Sequence, residues 1–478
     1  MKPVYLRIVV PFVLLGICYS LSAMAGFMPP REQILSDMVL ANNYFTNEWP
    51  TPGCSSCLPG SHPSSIWTRA TYMEGVLALY RINQDPNIYN YAVQWGSFSS
   101  WGLRGGDTDT TPDDQGAGQE YIELYQFDTS QTNRLTHIAN NVNYWLAHGT
   151  GLTQWSYVDS LHMSMPAFAM LSGINSNVIS ALRTNYTYPP AMYSYFHNTK
   201  SVYGPSNGLY NASDHFWWRD TTFLSNYVAS DGTKEKCYWS RGNGWAFVAL
   251  ARTMDALSTN DAHYPEYLQT FEDMAGALKA VQRSDGFWNV NLGYTNDYPG
   301  PESSGTACFT YGMAWGINRG YLDSNTYLPA VIKGWNALAV GALHHSSGAD
   351  NGFLGYVQGT GSKPADHQPV TYTSVPDFDD FTVGLFLLAG SQVYQLSSTS
   401  GIVLKQPVLL PGKQIQLNFT VISSLSNATF SLLQNSQLGQ SWSTNSAAVL
   451  TTNIAGISYC FTTTNNAAAR FYKIQMGP

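Results

Sequence analysis

Apolar side chains recur along most of this chain at helical spacing. Met73, Val76, Leu77 and Tyr80 stand at i, i+3, i+4 and i+7, as do Ile88, Tyr91, Ala92 and Trp95, and Leu135, Ile138, Ala139 and Val142. Each set falls on one face of a 3.6-residue repeat. The stripe returns at Phe247, Leu250, Ala251 and Met254; at Met274, Ala277, Leu278 and Val281; at Leu328, Val331, Ile332 and Trp335; and at Phe386, Ala389, Gly390 and Val393. Less regular stretches near residues 32–44, 116–127, 158–172, 188–198 and 306–320 bring the expected helices to about twelve. Twelve helices with short connections predict six helical hairpins closed into a toroid; a bundle or an open solenoid has a similar periodicity.

The pattern changes after residue 396. From Ser397 to Pro478 there is no Asp or Glu, the charges are Lys405, Lys413, Arg470 and Lys473, and short runs such as Ile415 to Ile422 and Ala428 to Leu433 lie between Ser and Asn turns. Such runs read as strands, so residues 397–478 are expected to form a small β-sandwich-like accessory domain. Acid catalysis therefore belongs to residues 26–396, which hold all 31 acidic side chains.

Residues 1–25 read as a Sec-type signal peptide: Lys2 and Arg7 precede the apolar run Ile8 to Leu21, and Ala23-Met24-Ala25 supplies a small-residue cleavage site. The expectation is export to the periplasm or beyond. The apolar run is shorter than the about 20 residues a membrane span needs, so no membrane insertion is expected after cleavage. Five cysteines follow, Cys54, Cys57, Cys237, Cys308 and Cys460, an odd number that leaves at least one thiol unpaired. Cys54 and Cys57 form a CxxC without a second one to complete a zinc site. A net charge of -8 with 11% charged residues offers nucleic acid no basic footprint, and 44% hydrophobic content excludes disorder.

Loops between such helices collect at one end, and here they are rich in aromatic and polar side chains, which suits a sugar. Trp67, Trp155, Trp217, Trp218, Trp239, Trp245 and Trp288 offer flat faces to pyranose rings, with core packing as the alternative for each. Asp159 stands in a nearly uncharged stretch, Trp155 to Pro166, where a helix places it on one face with His162 and Met163. Burial there raises a carboxyl pKa and suits a general acid; a helix cap is the competing reading. Asp113 and Asp114 lie just ahead of the helix through Tyr121, Leu124 and Tyr125, where capping is the default. Asp107 and Asp109 lack the glycine and terminal Glu of a calcium loop. In Tyr238 to Trp245 two tryptophans bracket Arg241, whose planar fork would suit the carboxylate of an acidic sugar. Glu302, ahead of Ser303-Ser304-Gly305, reads as structural.

The order of these motifs resembles glycoside hydrolase family 105, the unsaturated rhamnogalacturonyl hydrolases. The resemblance rests on Ile66-Trp67 with Tyr72-Met-Glu-Gly75, Asp113-Asp-Gln with Gly118-Gln, Trp155 through Asp159 to Met165-Pro166, and Gly208-Leu-Tyr-Asn with Trp217-Trp-Arg-Asp220. It continues through Trp239 to Trp245, Asp285-Gly-Phe-Trp288, Ser304-Gly-Thr306, Tyr311 to Gly316, Gly352 to Gln358 and Pro376-Asp-Phe-Asp379. It covers the helical segment and leaves out the tail, which faintly resembles small β-rich modules of secreted bacterial proteins.

The resemblance implies a mainly α protein, an (α/α)6 barrel acting on oligosaccharides that end in a 4,5-unsaturated uronic acid. It implies an Asp that protonates C4, water that adds at C5, and a hemiketal that opens and expels the next sugar, without a cofactor or metal. By that likeness Asp159 is the proton donor and one of Asp113 or Asp114 the second active-site Asp, with Asp114 preferred. Trp239, Arg241 and Trp245 match the substrate-contacting set, Tyr72, Trp218 and Arg219 match sugar subsites more weakly, and His162 and the remaining one of the two Asp join the binding residues. Ser156-Tyr157 and Ser160-Leu161-His162 depart from relatives that carry more Trp, Ala and Ile. The implied substrate is a rhamnogalacturonan lyase product; the alternatives are a glucuronyl hydrolase on ulvan or glycosaminoglycan fragments, or a non-catalytic carbohydrate-binding toroid.

Overall fold

A computed structural model of the chain describes residues 28–53, 62–183, 186–205, 207–224, 227–374 and 380–397, and in the tail 401–404, 407–422, 429–435, 442–454, 458–464 and 471–477. The expected signal peptide, Cys54, Cys57 and the Pro376 to Asp379 motif lie outside the described residues. Among the described residues, twelve helices of twelve residues or more carry the first part: α1 Arg31–Glu48, α2 Trp67–Asn83, α3 Pro86–Phe98, α4 Gly116–Phe127, α5 Thr136–His148, α6 Asp159–Ser172, α7 Tyr188–Ser201, α8 Ser240–Ala256, α9 Tyr264–Ala280, α10 Ser303–Asn318, α11 Ser324–Asn336 and α12 Phe381–Leu396. Each stripe and each less regular stretch of the sequence falls on one of them to within two residues.

The even-numbered helices pack in a closed ring, α2 on α4, α4 on α6, α6 on α8, α8 on α10, α10 on α12 and α12 on α2, and the odd-numbered ones lie outside it. This is the (α/α)6 toroid. Inner helices are wrapped on all sides, so every residue of α10 from Ser303 to Gly316 is buried. Closure depends on absent side chains: a Cβ on Gly75 of α2 would lie 2.1 Å from the Gly384 carbonyl oxygen of α12.

The interior is not purely apolar. Arg252 of α8 meets Glu74 of α2 at 3.0 Å and Glu120 and Glu123 of α4 at 3.1 and 3.2 Å. Burial opposes the Glu74 carboxylate, yet Arg252 and His162 outweigh it and lower its pKa. Burial and the neighbouring Glu123 instead push Glu120 well up. The network joins three inner helices across the ring, and its charges are tolerable there because each has a partner.

The tail forms two antiparallel sheets. One contains β3 Gly401–Leu404, β4 Val408–Leu410, β5 Gln414–Ile422, β8 Val449–Ile454 and β9 Ser458–Thr464, the other β6 Thr429–Asn435, β7 Ser443–Thr444 and β10 Phe471–Gly477. Leu417 and Phe419 of β5, Leu432 of β6 and Phe461 of β9 form its separate core. Two further short strands, β1 Tyr210–Asn211 and β2 Phe216–Trp217, pair in the loop before α8. Cys237, Cys308 and Cys460 are free and buried. Among the described residues no helix is long and apolar enough to cross a membrane.

Candidate active site

The inner helices all begin at the same end of the ring, and there the chain builds a pocket of about 180 Å³. Its walls are Trp67 at the start of α2, Asp113 ahead of α4, Tyr157, Asp159 and Met163 around the start of α6, Trp239, Arg241 and Trp245 around the start of α8, Arg219, and the loop residues Thr360 and Gly361. A space this size, below the ~300–1,000 Å³ of drug-sized ligand sites, has room for about one sugar ring. A larger crater of about 560 Å³ opens at the other end, over the helix C-termini. Its charged side chains pair with one another, Arg81 with Glu123 at 3.1 Å and Arg319 with Asp255 at 2.6 Å, besides the Arg252 network.

Asp159 is the first residue of α6 and the only acidic group in its first turn, and no side-chain cap bond is made at that helix start. Its Oδ2 accepts from Nε of Arg219 at 3.1 Å. Arg219 also donates to Asp220 at 2.9 Å, and its guanidinium lies 4.6 Å over the ring of Tyr157. Burial works against the charged Arg219, but Asp159 and Asp220 outweigh it and raise its pKa. The apolar surroundings expected for Asp159 are therefore completed by a cation.

Asp113 and Asp114 occupy consecutive places in a tight helical turn, Pro112–Gln115, and diverge. Asp113 enters the pocket and accepts the Tyr157 hydroxyl at 2.8 Å. Burial raises its carboxyl pKa, Tyr157 lowers it, and Asp159 raises it. Asp114 does not line the pocket. It pairs with Arg104 at 2.6 Å, and burial pushes it up to about 7 although Arg104 pulls the other way. Of the two, Asp113 and not the preferred Asp114 lines the pocket, and neither caps the helix through its side chain.

Arg241 lines the pocket wall and is also bonded to the backbone of a neighbouring loop. Its two terminal nitrogens donate to the carbonyls of Gln358 and Gly359, each at 2.6 Å, and the guanidinium lies 4.6 Å from the Trp239 ring. The Trp239 indole N–H also reaches Gln358, at 2.9 Å. Arg241 and Trp239 together anchor the loop that carries Thr360 and Gly361. Besides lining the pocket, Arg241 thus holds this loop through backbone carbonyls more than a hundred residues away.

Trp67 meets Trp245 edge to face at 6.0 Å, and His162 stacks behind Trp245 at 4.7 Å while its Nε2 reaches Glu74 at 3.1 Å. His162 therefore supports the aromatic wall without lining the pocket. Tyr72 is also outside it, fully buried against Phe45 with its hydroxyl on Asn42 at 2.8 Å. Trp218 is half-buried beside Tyr238 and lines no part of the pocket. Trp155, Trp217 and Trp288 are core residues. Glu302 caps α10, accepting from the backbone of Ser304 and Gly305 at 2.9 and 2.8 Å. Sequence reasoning assigned no site role to Tyr157, Thr360 and Gly361; the Gly359-Thr360-Gly361 run signals a turn but no chemistry.

Two carboxylates, two guanidinium groups and three indoles around a space for about one ring can bind a sugar end and move a proton to it. Among the described residues no group of three or more His, Cys, Asp or Glu is arranged to hold a metal ion. The family model of Glycosyl Hydrolase Family 88 matches residues 38–397. An unsaturated 3S-rhamnoglycuronyl hydrolase of Formosa agariphila is 32% identical over 245 residues, 51% of this chain and 58% of that one, so the chain spans little more than half the length of this relative. A solved glycosyl hydrolase family 88 structure from Bacteroides vulgatus matches at 28% identity and a TM-score of 0.64, over 77% of this chain and 99% of that one. A solved structure described as a polysaccharide lyase matches at 26% identity and a TM-score of 0.63, over 77% and 98%.

Proposed function

Since the chain belongs to Glycosyl Hydrolase Family 88, we propose that it removes a 4,5-unsaturated uronic acid from the non-reducing end of lyase-generated oligosaccharides. The observation that carries this reading is that Asp113, just ahead of α4, and Asp159, at the start of the neighbouring α6, line one pocket with room for about one ring. A one-ring pocket suits attack on a chain end. In the reaction Asp159 delivers its proton to C4 of the vinyl ether, and positive charge spreads over C5 and the ring oxygen. Asp113, as a carboxylate, faces that charge. Water then adds at C5, its proton returning to Asp159, and the hemiketal opens to a C5 ketone with loss of the next sugar as an alcohol. One water is consumed and the acid is regenerated.

The name of the Formosa relative, an unsaturated 3S-rhamnoglycuronyl hydrolase, supports a rhamnose-linked uronic acid as substrate, and the products to be tried are those of rhamnogalacturonan and of ulvan. The signal-like start supports action outside the cytoplasm. The experiment is to add mature protein to lyase digests of both polymers and follow the ultraviolet absorbance of the C4–C5 double bond. Its loss supports the reading, and binding without loss supports the non-catalytic toroid. The lyase likeness favours a second reading, eliminative cleavage, in which the same absorbance rises on intact polymer.

A further inference from the structure

Tyr157 sits where the two acidic sides of the pocket meet. Its hydroxyl donates to Oδ1 of Asp113 at 2.8 Å, and the face of its ring carries the Arg219 guanidinium at 4.6 Å. Arg219 in turn holds Oδ2 of Asp159 at 3.1 Å. The backbone fixes this arrangement from the same place: Tyr157 forms an antiparallel bridge with Asp220, and Val158 N–H donates to the Arg219 carbonyl at 2.8 Å. The ring is therefore held between the segment that brings Arg219 and the helix start that brings Asp159. Its hydroxyl is left with one place to point, the Asp113 carboxyl.

Resting on the reading above, we infer that Tyr157 is a positioning residue of the reaction. Its hydroxyl keeps Asp113 an oriented carboxylate, and its ring seats the guanidinium that holds Asp159. The groups that face Asp113 are Tyr157, Asp159, Arg219 and Arg104, with Asp114 adjacent in the chain. Arg219 and Arg104 favour its charge and Asp159 opposes it, while burial opposes it most. A hydrogen bond given to the charged form favours that form, so the phenol counters burial. Burial and Asp113 also keep the Tyr157 phenol protonated by raising its pKa, so it stays a donor across the working range. The pairing is thus directional: Tyr157 donates and Asp113 accepts.

Tyr157→Phe keeps the ring, its stack and its backbone anchors and removes only the donor. A hydrogen bond to a charged group is worth about 1.5–3 kcal/mol, so kcat should fall by about tenfold or more, with KM within about twofold. The acid limb of the kcat profile should move to higher pH, because Asp113 without its donor takes up a proton sooner. The same shift should be visible without turnover, as an upward move of the Asp113 titration in protein carrying 13C-labelled Asp carboxyls, the signal being assigned by its loss in Asp113→Asn. If no lyase digest is turned over by the wild type, the reading of the reaction fails, while the carboxyl titration still tests the role of Tyr157. An unmoved Asp113 titration, or a kcat profile in Tyr157→Phe that overlays the wild type, overturns the inference.

Discussion

Arg219 donates from Nε to Oδ2 of Asp159 at 3.1 Å, across 60 residues of chain. The contact ties the proposed acid to the loop that also carries Asp220, and it depends on a planar fork that serves two carboxylates. A lysine keeps the charge but not the fork. Arg219→Lys should lower kcat/KM by about tenfold to a hundredfold while the melting temperature stays close to that of the wild type. Steady-state kinetics on the lyase digest checks it.

The divergence of Asp113 and Asp114 separates activity from stability. Asp113→Asn should lower kcat by about a hundredfold. Asp114→Asn should leave turnover nearly intact and change the pH dependence of unfolding. The Asp114 carboxyl goes from an ordinary value of 3.8 to about 7 on folding. Between these values the folded chain keeps a proton that the unfolded chain has lost, so this group's contribution to stability declines as pH rises through the window. The asparagine variant should gain stability relative to the wild type from pH 4 to 7, with no further gain above. Denaturant titrations at several pH values read the difference.

Arg241 spends two terminal nitrogens on the Gln358 and Gly359 carbonyls. A lysine cannot serve both, so Arg241→Lys should loosen the loop bearing Thr360 and Gly361. The expected result is a kcat/KM lower by about tenfold or more, with faster amide exchange confined to that loop. Hydrogen exchange followed by mass spectrometry would show whether the effect is local.

Arg252 bridges Glu74, Glu120 and Glu123 inside the ring. Arg252→Met leaves uncompensated acids inside the ring and should cost about 3–5 kcal/mol of stability. The loss should appear in the melting temperature at neutral pH.

The toroid was legible because outer helices carry an apolar stripe on one face, as α5 does through Ile138, Ala139 and Val142. Among inner helices, α4, α6 and α10 read less regularly for the same physical reason: residues buried on every side need no polar face. In the candidate site, Asp159, Trp239 and Trp245 stood out by composition and lie at the pocket. Asp113 could not be told from Asp114, because neighbours in a tight helical turn point about 120° apart and the chain does not print the rotation. The bonds of Arg241 to the carbonyls near Gln358 were not legible, since those partners are invisible in local sequence. Tyr72 carries an aromatic ring at a plausible spacing, yet α1 claims it through Phe45 and Asn42. The role of Tyr157 required knowing that its loop faces Asp113.

In the proposed reaction Asp159 supplies the proton that begins hydration of the double bond. The direct measurement follows the ultraviolet absorbance of a lyase-digested rhamnose-containing uronan with wild type and with Asp159→Asn, both confirmed folded by circular dichroism. The wild type should give steady loss of absorbance and the variant a rate lower by about a thousandfold. Wild-type turnover by Asp159→Asn, or a rise in absorbance on intact polymer, would contradict it.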